Sequence, residues 1–422
     1  MYTAVLPRKE EYRTRGAEEE VLMKVAILGF GTVGSGTAEM LTKNKALLEA
    51  HAGEEVEIKY IVDIRSFPES PFADRIINDF SVVEKDDEVS LVIEVIGGAR
   101  VAYDFTKRAL LAGKSVVTSN KELVATHGVE LLTIAKEKGC YYLFEAAVGG
   151  GIPVLSPIAN DLSHNEILEI SGILNGTTNY ILTRMFSSGA SFEAALAEAQ
   201  AKGYAEADPT ADVEGHDAAR KIAILGALAS GKMVSSDAIH TEGIRAIRAE
   251  DVAAAAKIGC SIKLLGRYLR TESGDMFLMV APFLLHADSP LSGISDVYNG
   301  VLVRGNFVGD VMFYGRGAGS EPTASAVVAD VDKIARDAAY RPSMSLAEDV
   351  PTEFSYFRAR RYVVVEGADA AAIEIIFGET EPLSSEENAF LTVEMSEKGF
   401  AERAKRLEAC GGKIVSHIRL YR

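Results

Sequence analysis

The chain has 422 residues, 48% of them hydrophobic and 25% charged, a balance that excludes a disordered chain, a collagen and a disulfide-rich mini-protein. Lys+Arg 44 against Asp+Glu 61 leave a net charge of −17, so no general attraction for nucleic-acid phosphates is expected. Cys140, Cys260 and Cys410 are scattered and lack a CxxC spacing, which fits thiols in a reducing compartment rather than a disulfide or zinc framework.

Residues 1–20 read as an exposed extension, too polar to be a secretory signal. No run of about 18 apolar residues predicts a membrane span, and the protein is expected in the cytoplasm without a membrane partner. From Val21 the pattern becomes regular. VLMKVAILGF predicts a buried parallel strand, GTVGSGTAEMLTKNKALLEAH a helix, and VEIKYIVDI a second strand. LVIEVIGG, SVVTSN and YYLFEAAV are further β-type runs, with the helix-like FTKRALLAG after the first of them. Strands alternating with helices predict an α/β fold, with a doubly wound Rossmann domain over residues 21–150.

GGGIPVLSPIANDL then acts as a breaker. ILEISGILNGTTNYIL predicts strand, turn and helix. FEAALAEAQAKG and HDAARKIAILGALASG predict helices, and MFLMVAPFLL and VYNGVLVRGNFVGDVMFYG predict strands. Residues 151–320 are therefore expected to form an α+β substrate-binding and dimerisation domain. Residues 321–350 carry a helix returning to the nucleotide domain. Residues 351–422 have two β-type runs around helical segments and predict a small α+β module.

Gly29-Phe30-Gly31-Thr32-Val33-Gly34 is a G-x-G-x-x-G between a strand and a helix. The first glycine permits the tight turn, the second lets backbone approach a pyrophosphate, and the third lets helix and strand pack closely. The helix N-terminus offers free N–H groups to the phosphates. Asp63, at the end of the second strand, can accept a ribose 2′-OH, whereas Arg65 can pair a 2′-phosphate, so NAD and NADP both stay open.

Asp217 and Lys221 are four apart on a helical pattern and share a face. On spacing alone a surface ion pair is the better reading. A lysine with a carboxylate neighbour at the mouth of a buried helix also suits proton transfer to an alkoxide. Lys121, in Ser119-Asn120-Lys121, lies just past a strand end, where doubly wound folds bind ligands, although a loop lysine is the commoner fate. The seven histidines have no metal spacing.

Four segments in this order resemble homoserine dehydrogenase: Gly172–Leu182, Lys202–Lys221, Ser119–Lys121 and Glu145–Pro153. The resemblance runs from about Val21 to about Ala338. It implies NAD(P)H-dependent, reversible reduction of L-aspartate 4-semialdehyde to L-homoserine. It implies Lys221 as the catalytic lysine with Asp217 as partner, and Lys121 as a second lysine close to nicotinamide and substrate. It places Glu206 on the substrate ammonium and Thr177 and Asp212 near the substrate. Ser119, Gly203 and the Gly317–Gly319 stretch fall toward the cofactor. It implies a monovalent cation, sodium, on Glu145 and the carbonyls of Val148, Gly150 and Ile152, a donor set that suits a hard cation. It also implies a homodimer or homotetramer.

The C-terminal module resembles a degenerate ACT domain, because the loop after its first strand, Glu366-Gly367-Ala368-Asp369, lacks the family's Asp-x-x-Gly. Feedback inhibition by threonine is therefore not expected, and a purely structural or dimerising module is the alternative. Two other functions compete with this one. An aspartate semialdehyde dehydrogenase needs a nucleophilic cysteine, and Cys140 has no base beside it in sequence. A cofactor-binding regulator would lack Lys221, Asp217 or Glu206, and all three are present.

Overall fold

β1 (Leu22–Leu28) buries its last four residues completely, as an apolar strand covered by helices on both faces must. The computed structural model describes residues 22–346, 351–384 and 388–421, and the extension expected over residues 1–20 lies outside them. After β1 come α1 (Thr32–Lys43), α2 (Lys45–Ala52), β2 (Glu55–Val62), β3 (Ile76–Ile77), α3 (Phe80–Lys85), β4 (Val89–Glu94), α4 (Ala99–Leu111), β5 (Ser115–Thr118), α5 (Lys121–Lys138) and β6 (Tyr142–Leu143). The strands are parallel in the order β3-β2-β1-β4-β5-β6. The order reverses between β1 and β4, and the crevice beyond their carboxyl ends is where such a sheet binds a dinucleotide.

The YYLFEAAV run is strand only at Tyr142–Leu143, and Glu145–Ala147 forms a 3-10 turn. Buried polar groups pull the chain out of the sheet. The Glu145 N–H donates to Asp330 Oδ2 at 2.8 Å, and the Glu145 carboxylate accepts from the amides of Val154, Leu155 and Ser156. Cys140 lies just before the strand.

The middle region contains β7 (Ile167–Ile173), α6 (Gly176–Ser188), α7 (Phe192–Ala201), α8 (Thr210–Val213), α9 (His216–Ser230), β8 (Lys232–Met233), β9 (His240–Thr241), α10 (Ala249–Lys257), β10 (Cys260–Arg270), β11 (Met276–His286), β12 (Tyr298–Gly305) and β13 (Gly309–Arg316). α9 buries Ile222–Ala227 completely against β10 and β11. α11 (Ser320–Ala335) then returns to the first domain and packs on α1. Ser320 Oγ donates to the Thr32 carbonyl at 2.7 Å, and a Cβ on Gly36 would meet that hydroxyl at 2.4 Å. β14 (Ser345–Leu346) pairs with β8.

The C-terminal region contains β15 (Arg358–Ala359), β16 (Arg361–Glu366), α12 (Ala370–Phe377), β17 (Thr380–Ser384), β18 (Ala389–Thr392), β19 (Met395–Ser396), α13 (Glu397–Ala409) and β20 (Lys413–Leu420). Its main elements follow a βαββαβ path with strand order β20-β16-β18-β17. β20 also pairs with β11 in parallel, at Phe283↔Arg419 and Leu284↔Leu420. Among the described residues the two regions therefore share one ten-stranded sheet, running β13-β12-β7-β10-β11-β20-β16-β18-β17 with β9 beside β11.

Candidate active site

The glycine loop is shaped by contacts that leave no room for side chains. Gly29 has φ +95° and donates its N–H to the Val62 carbonyl at 2.8 Å. A Cβ on Gly34 would stand 2.0 Å from the Gly29 carbonyl oxygen, so only glycine lets α1 start this close to β1. Gly31 caps α1 with no side-chain bond, leaving the helix N-terminus facing the crevice.

Asp63 follows β2 and accepts the Phe30 N–H at 2.7 Å. Its carboxylate also takes the backbone N–H, Nε and Nη2 of Arg65 at 2.8–3.0 Å. The Arg65 guanidinium holds the Asp63 carboxyl well below the usual carboxylate range, and the Phe30 amide helps against the effect of burial. Arg65 itself is more than half exposed and lies over the Phe67 ring near Gly31.

A cleft of about 700 Å³ opens between the two regions. Val33, Ser119 and Lys121 line it from the first domain, Asp217 and Lys221 from α9, and Gly203, Tyr204 and Glu206 from the loop after α7. Thr177, Asp212, Gly150 and the Gly317–Gly319 stretch complete the wall. The predicted substrate and proton-transfer residues are thus gathered in one place. Gly29–Thr32 and Gly34 shape the loop beside it, Asp63 and Arg65 sit farther along at the end of β2, and Glu145, Val148 and Ile152 are buried in and after the Glu145–Ala147 turn.

Asp217 and Lys221 are buried, so the surface-pair reading from their spacing is wrong. The Lys221 ammonium donates to Asp217 Oδ2 and to the Leu174 carbonyl, each at 2.7 Å. One of its three hydrogens is left for a ligand in the cleft. Lys121 Nζ stands 3.0 Å from Asp217 Oδ1. Burial works to raise the Asp217 carboxyl, but the charges of Lys221 and Lys121, with bonds from Lys221 and Asn175, hold it well below the ordinary range.

Asn175 was not singled out from the sequence, yet it organises this cluster. Its Nδ2 donates to Asp212 Oδ1 at 2.7 Å and to Asp217 Oδ2 at 2.9 Å. Its Oδ1 caps α6 by accepting from the Thr178 N–H at 2.9 Å. The sequence signal was there: an asparagine just before a helix start. Burial raises the Asp212 carboxyl, and the charge of Asp217 adds to that. The Thr177 hydroxyl donates to the Tyr204 carbonyl at 2.7 Å, so it anchors the loop that carries Glu206. Glu206 is exposed to the cleft, and among the described residues no cation pairs with its carboxylate. That leaves it open to an ammonium group.

The expected cation ligands divide. The Glu145 carboxylate is not available, because three amides and Lys333 Nζ at 3.5 Å already surround it. The carbonyls of Val148, Gly150 and Ile152 accept no hydrogen bond among the described residues, although all three residues are buried. Buried carbonyls without donors are rare, and an all-oxygen set fits a hard monovalent ion. Cys140 is buried, and burial pushes its thiol up, the opposite of what a nucleophile needs.

Two family profiles match the chain: the homoserine dehydrogenase NAD-binding domain over residues 29–145, and homoserine dehydrogenase over residues 153–331. The chain belongs to the homoserine dehydrogenase family. A homoserine dehydrogenase of Synechocystis is 45% identical over 74% of this chain and 73% of its own length. One of Pseudomonas aeruginosa is 45% identical over 74% and 72%. The crystal structure of a homoserine dehydrogenase from Thiobacillus denitrificans superposes with a TM-score of 0.88 at 36% identity, covering 95% of this chain and 98% of that one. A hyperthermophilic archaeal homoserine dehydrogenase in complex with NADPH aligns at TM-score 0.65 and 28% identity, over 76% of this chain and 99% of its own. The family thus includes shorter members, and the Thiobacillus protein matches almost the whole of this chain. As a member of the family, the protein is an NAD(P)-dependent oxidoreductase. Among the described residues, no helix is long and apolar enough to cross a membrane.

Proposed function

We propose that the protein interconverts L-homoserine and L-aspartate 4-semialdehyde in the cytoplasm, the step that supplies threonine, methionine and isoleucine synthesis. The observation that carries this reading is the Asp217 carboxylate held between Lys121 and Lys221 on the wall of the cleft. NAD(P), when bound, supplies or accepts the hydride. Lys221 moves the proton: as the neutral amine it takes the homoserine hydroxyl proton, and as the ammonium it returns it to the alkoxide. Asp217 orients Lys221 and balances both lysines. Lys121 places a second positive charge at the carbonyl end of the substrate, and Glu206 takes the substrate ammonium. Asp212, tied to Asp217 through Asn175, helps hold the substrate side.

The preferred cofactor is NADP(H). The Asp63 carboxylate is already occupied by Phe30 and Arg65, whereas the exposed Arg65 guanidinium is placed to meet a 2′-phosphate beside the glycine loop. A sodium ion held by the carbonyls of Val148, Gly150 and Ile152 would fix the turn behind the cleft and takes no part in proton transfer. The protein assembles as a homodimer or homotetramer through the middle region, where the edge strand β13 carries exposed Met312 and Tyr314.

The test is an assay of purified protein with L-homoserine and either NADP⁺ or NAD⁺ at alkaline pH, followed by absorbance at ~340 nm. Turnover without added phosphate, faster with NADP⁺, is expected. No turnover of homoserine, with NADP⁺ reduction by L-aspartate 4-semialdehyde that requires phosphate, would favour the aspartate semialdehyde dehydrogenase reading, and tight cofactor binding without turnover of either would favour a regulator.

A further inference from the structure

Glu94 is the last residue of β4, with its side chain fully buried at the carboxyl end of the sheet. Its partners are neutral. Oε1 accepts the Ile96 N–H at 2.7 Å, and Oε2 accepts the Thr118 hydroxyl at 2.5 Å. Leu28 on β1 and Thr118 on β5 are its neighbours across the sheet, and neither carries a charge. Tyr142 on β6 is the ionisable group that faces it. A buried carboxylate without a cation is expensive to keep.

What Glu94 holds is the approach to Lys121. The Thr118 oxygen, while donating to Glu94, accepts the Asn120 N–H at 2.9 Å. Asn120 then caps α5 through the Leu123 N–H at 3.0 Å, and its Nδ2 ties back to the carbonyls of Ile96 and Gly98. Lys121 is the first residue of that helix and reaches Asp217.

We infer that Glu94 is a positioning residue: through Thr118 and Asn120 it fixes the 118–121 loop and so the place of Lys121 opposite Asp217. The inference rests on the reading of the cleft as a homoserine dehydrogenase active site. The ionised carboxylate makes the relay, because it accepts the Thr118 hydrogen and leaves a Thr118 lone pair for Asn120. Protonation at Oε2 turns this bond round: the carboxyl O–H donates to the Thr118 oxygen, the Thr118 hydrogen loses its charged acceptor, and the weaker neutral bond loosens the loop. Burial pushes this carboxyl up to about 7, against the bonds from Thr118, Ile96 and Asn120, so the relay is made as pH rises through neutrality.

Glu94→Gln imitates the protonated form at every pH. Homoserine oxidation by wild type, Glu94→Gln, Thr118→Val and the double variant is measured from about pH 6 to about pH 9.5, with NADPH fluorescence titration as the check on folding. Wild-type kcat is expected to show an acid limb with an apparent pKa near 7. Both single variants should lack that limb and lose kcat by roughly tenfold at the plateau, and the double should be no worse than the poorer single. A Glu94→Gln enzyme with the wild-type kcat and limb overturns the inference, as do losses that simply add in the double variant. If Glu94→Gln does not fold, Thr118→Val carries the same test by removing the relay's middle member while keeping the carboxyl itself. A wild type that binds NADPH but never oxidises homoserine refutes the parent reading instead.

Discussion

Asp217 keeps its charge in a buried place because two lysines and an amide share it. Asn175 is the joint between this carboxylate, Asp212 and the start of α6. Asn175→Ala should cost about 1–2 kcal/mol of stability through the lost cap and lower kcat in the same protein, measured by urea denaturation and initial rates. Loss of stability with kcat intact would show the amide to be a cap only. Arg65→Ala should raise KM for NADP⁺ by roughly tenfold and leave KM for NAD⁺ nearly unchanged; equal effects would remove Arg65 from cofactor choice. Glu94 gives a pH dependence of stability with a definite sign. Its folded carboxyl lies near 7 against an ordinary 4.5, so the folded state holds the proton over that interval. The unfolded chain gives up its proton from about pH 4.5 while the folded one keeps it until about pH 7, so stability falls progressively across that interval, by up to roughly 3 kcal/mol. Wild type should lose stability relative to Glu94→Gln across that window, by thermal denaturation, and a parallel pair of curves would contradict it. At this scale the sequence showed the four-residue spacing of Asp217 and Lys221 but not their burial. That depends on the Leu174 carbonyl and Asn175, which come from another segment, so spacing alone pointed to a surface pair.

Among elements, β1, the glycine loop and α1 were legible because strand apolarity, glycine spacing and helix start all agree. β10 was not singled out, although it is a central strand of the larger sheet. Its sequence, CSIKLLGRYLR, puts Lys263 and Arg267 at buried positions, which breaks an apolar pattern. The fold accommodates them: Arg267 pairs with buried Glu169 at 2.7 Å, and Lys263 donates to Asn179 and to the Ile294 carbonyl. The C-terminal module is joined to the rest by a similar device. Buried Arg419 on β20 donates to Glu242 beside β9 and to Glu397 at the start of α13, which also pairs with buried Arg361. Arg419→Ala removes the shared partner of Glu242 and Glu397, leaving the His240 ring and Arg361 beside them, and should destabilise the protein by about 3–5 kcal/mol, read from urea denaturation. A change below about 1 kcal/mol would mean the module is not locked in this way. The loop after β16 is closed rather than open, since a Cβ on Gly367 would meet the Gly411 carbonyl at 2.7 Å. Saturating L-threonine is accordingly expected to leave the initial rate unchanged, and clear inhibition would restore a regulatory role to the module.

For the whole molecule, the cleft exists because α11 leaves the second region and packs back on α1. That return brings Gly319 and Thr323 beside the cofactor loop and sets Asp330 against Glu145. The helix was legible in the sequence, but its long-range contacts were not, because they join residues about 300 positions apart, as Ser320 and Thr32 are. The proposed reaction depends on Lys221 moving the proton in this cleft. The most direct measurement is homoserine oxidation by Lys221→Ala beside wild type, with NADPH binding followed by fluorescence in both. A fall in kcat of roughly 10²–10⁴-fold with NADPH affinity retained is expected. A variant that binds NADPH and turns over at the wild-type rate would contradict it.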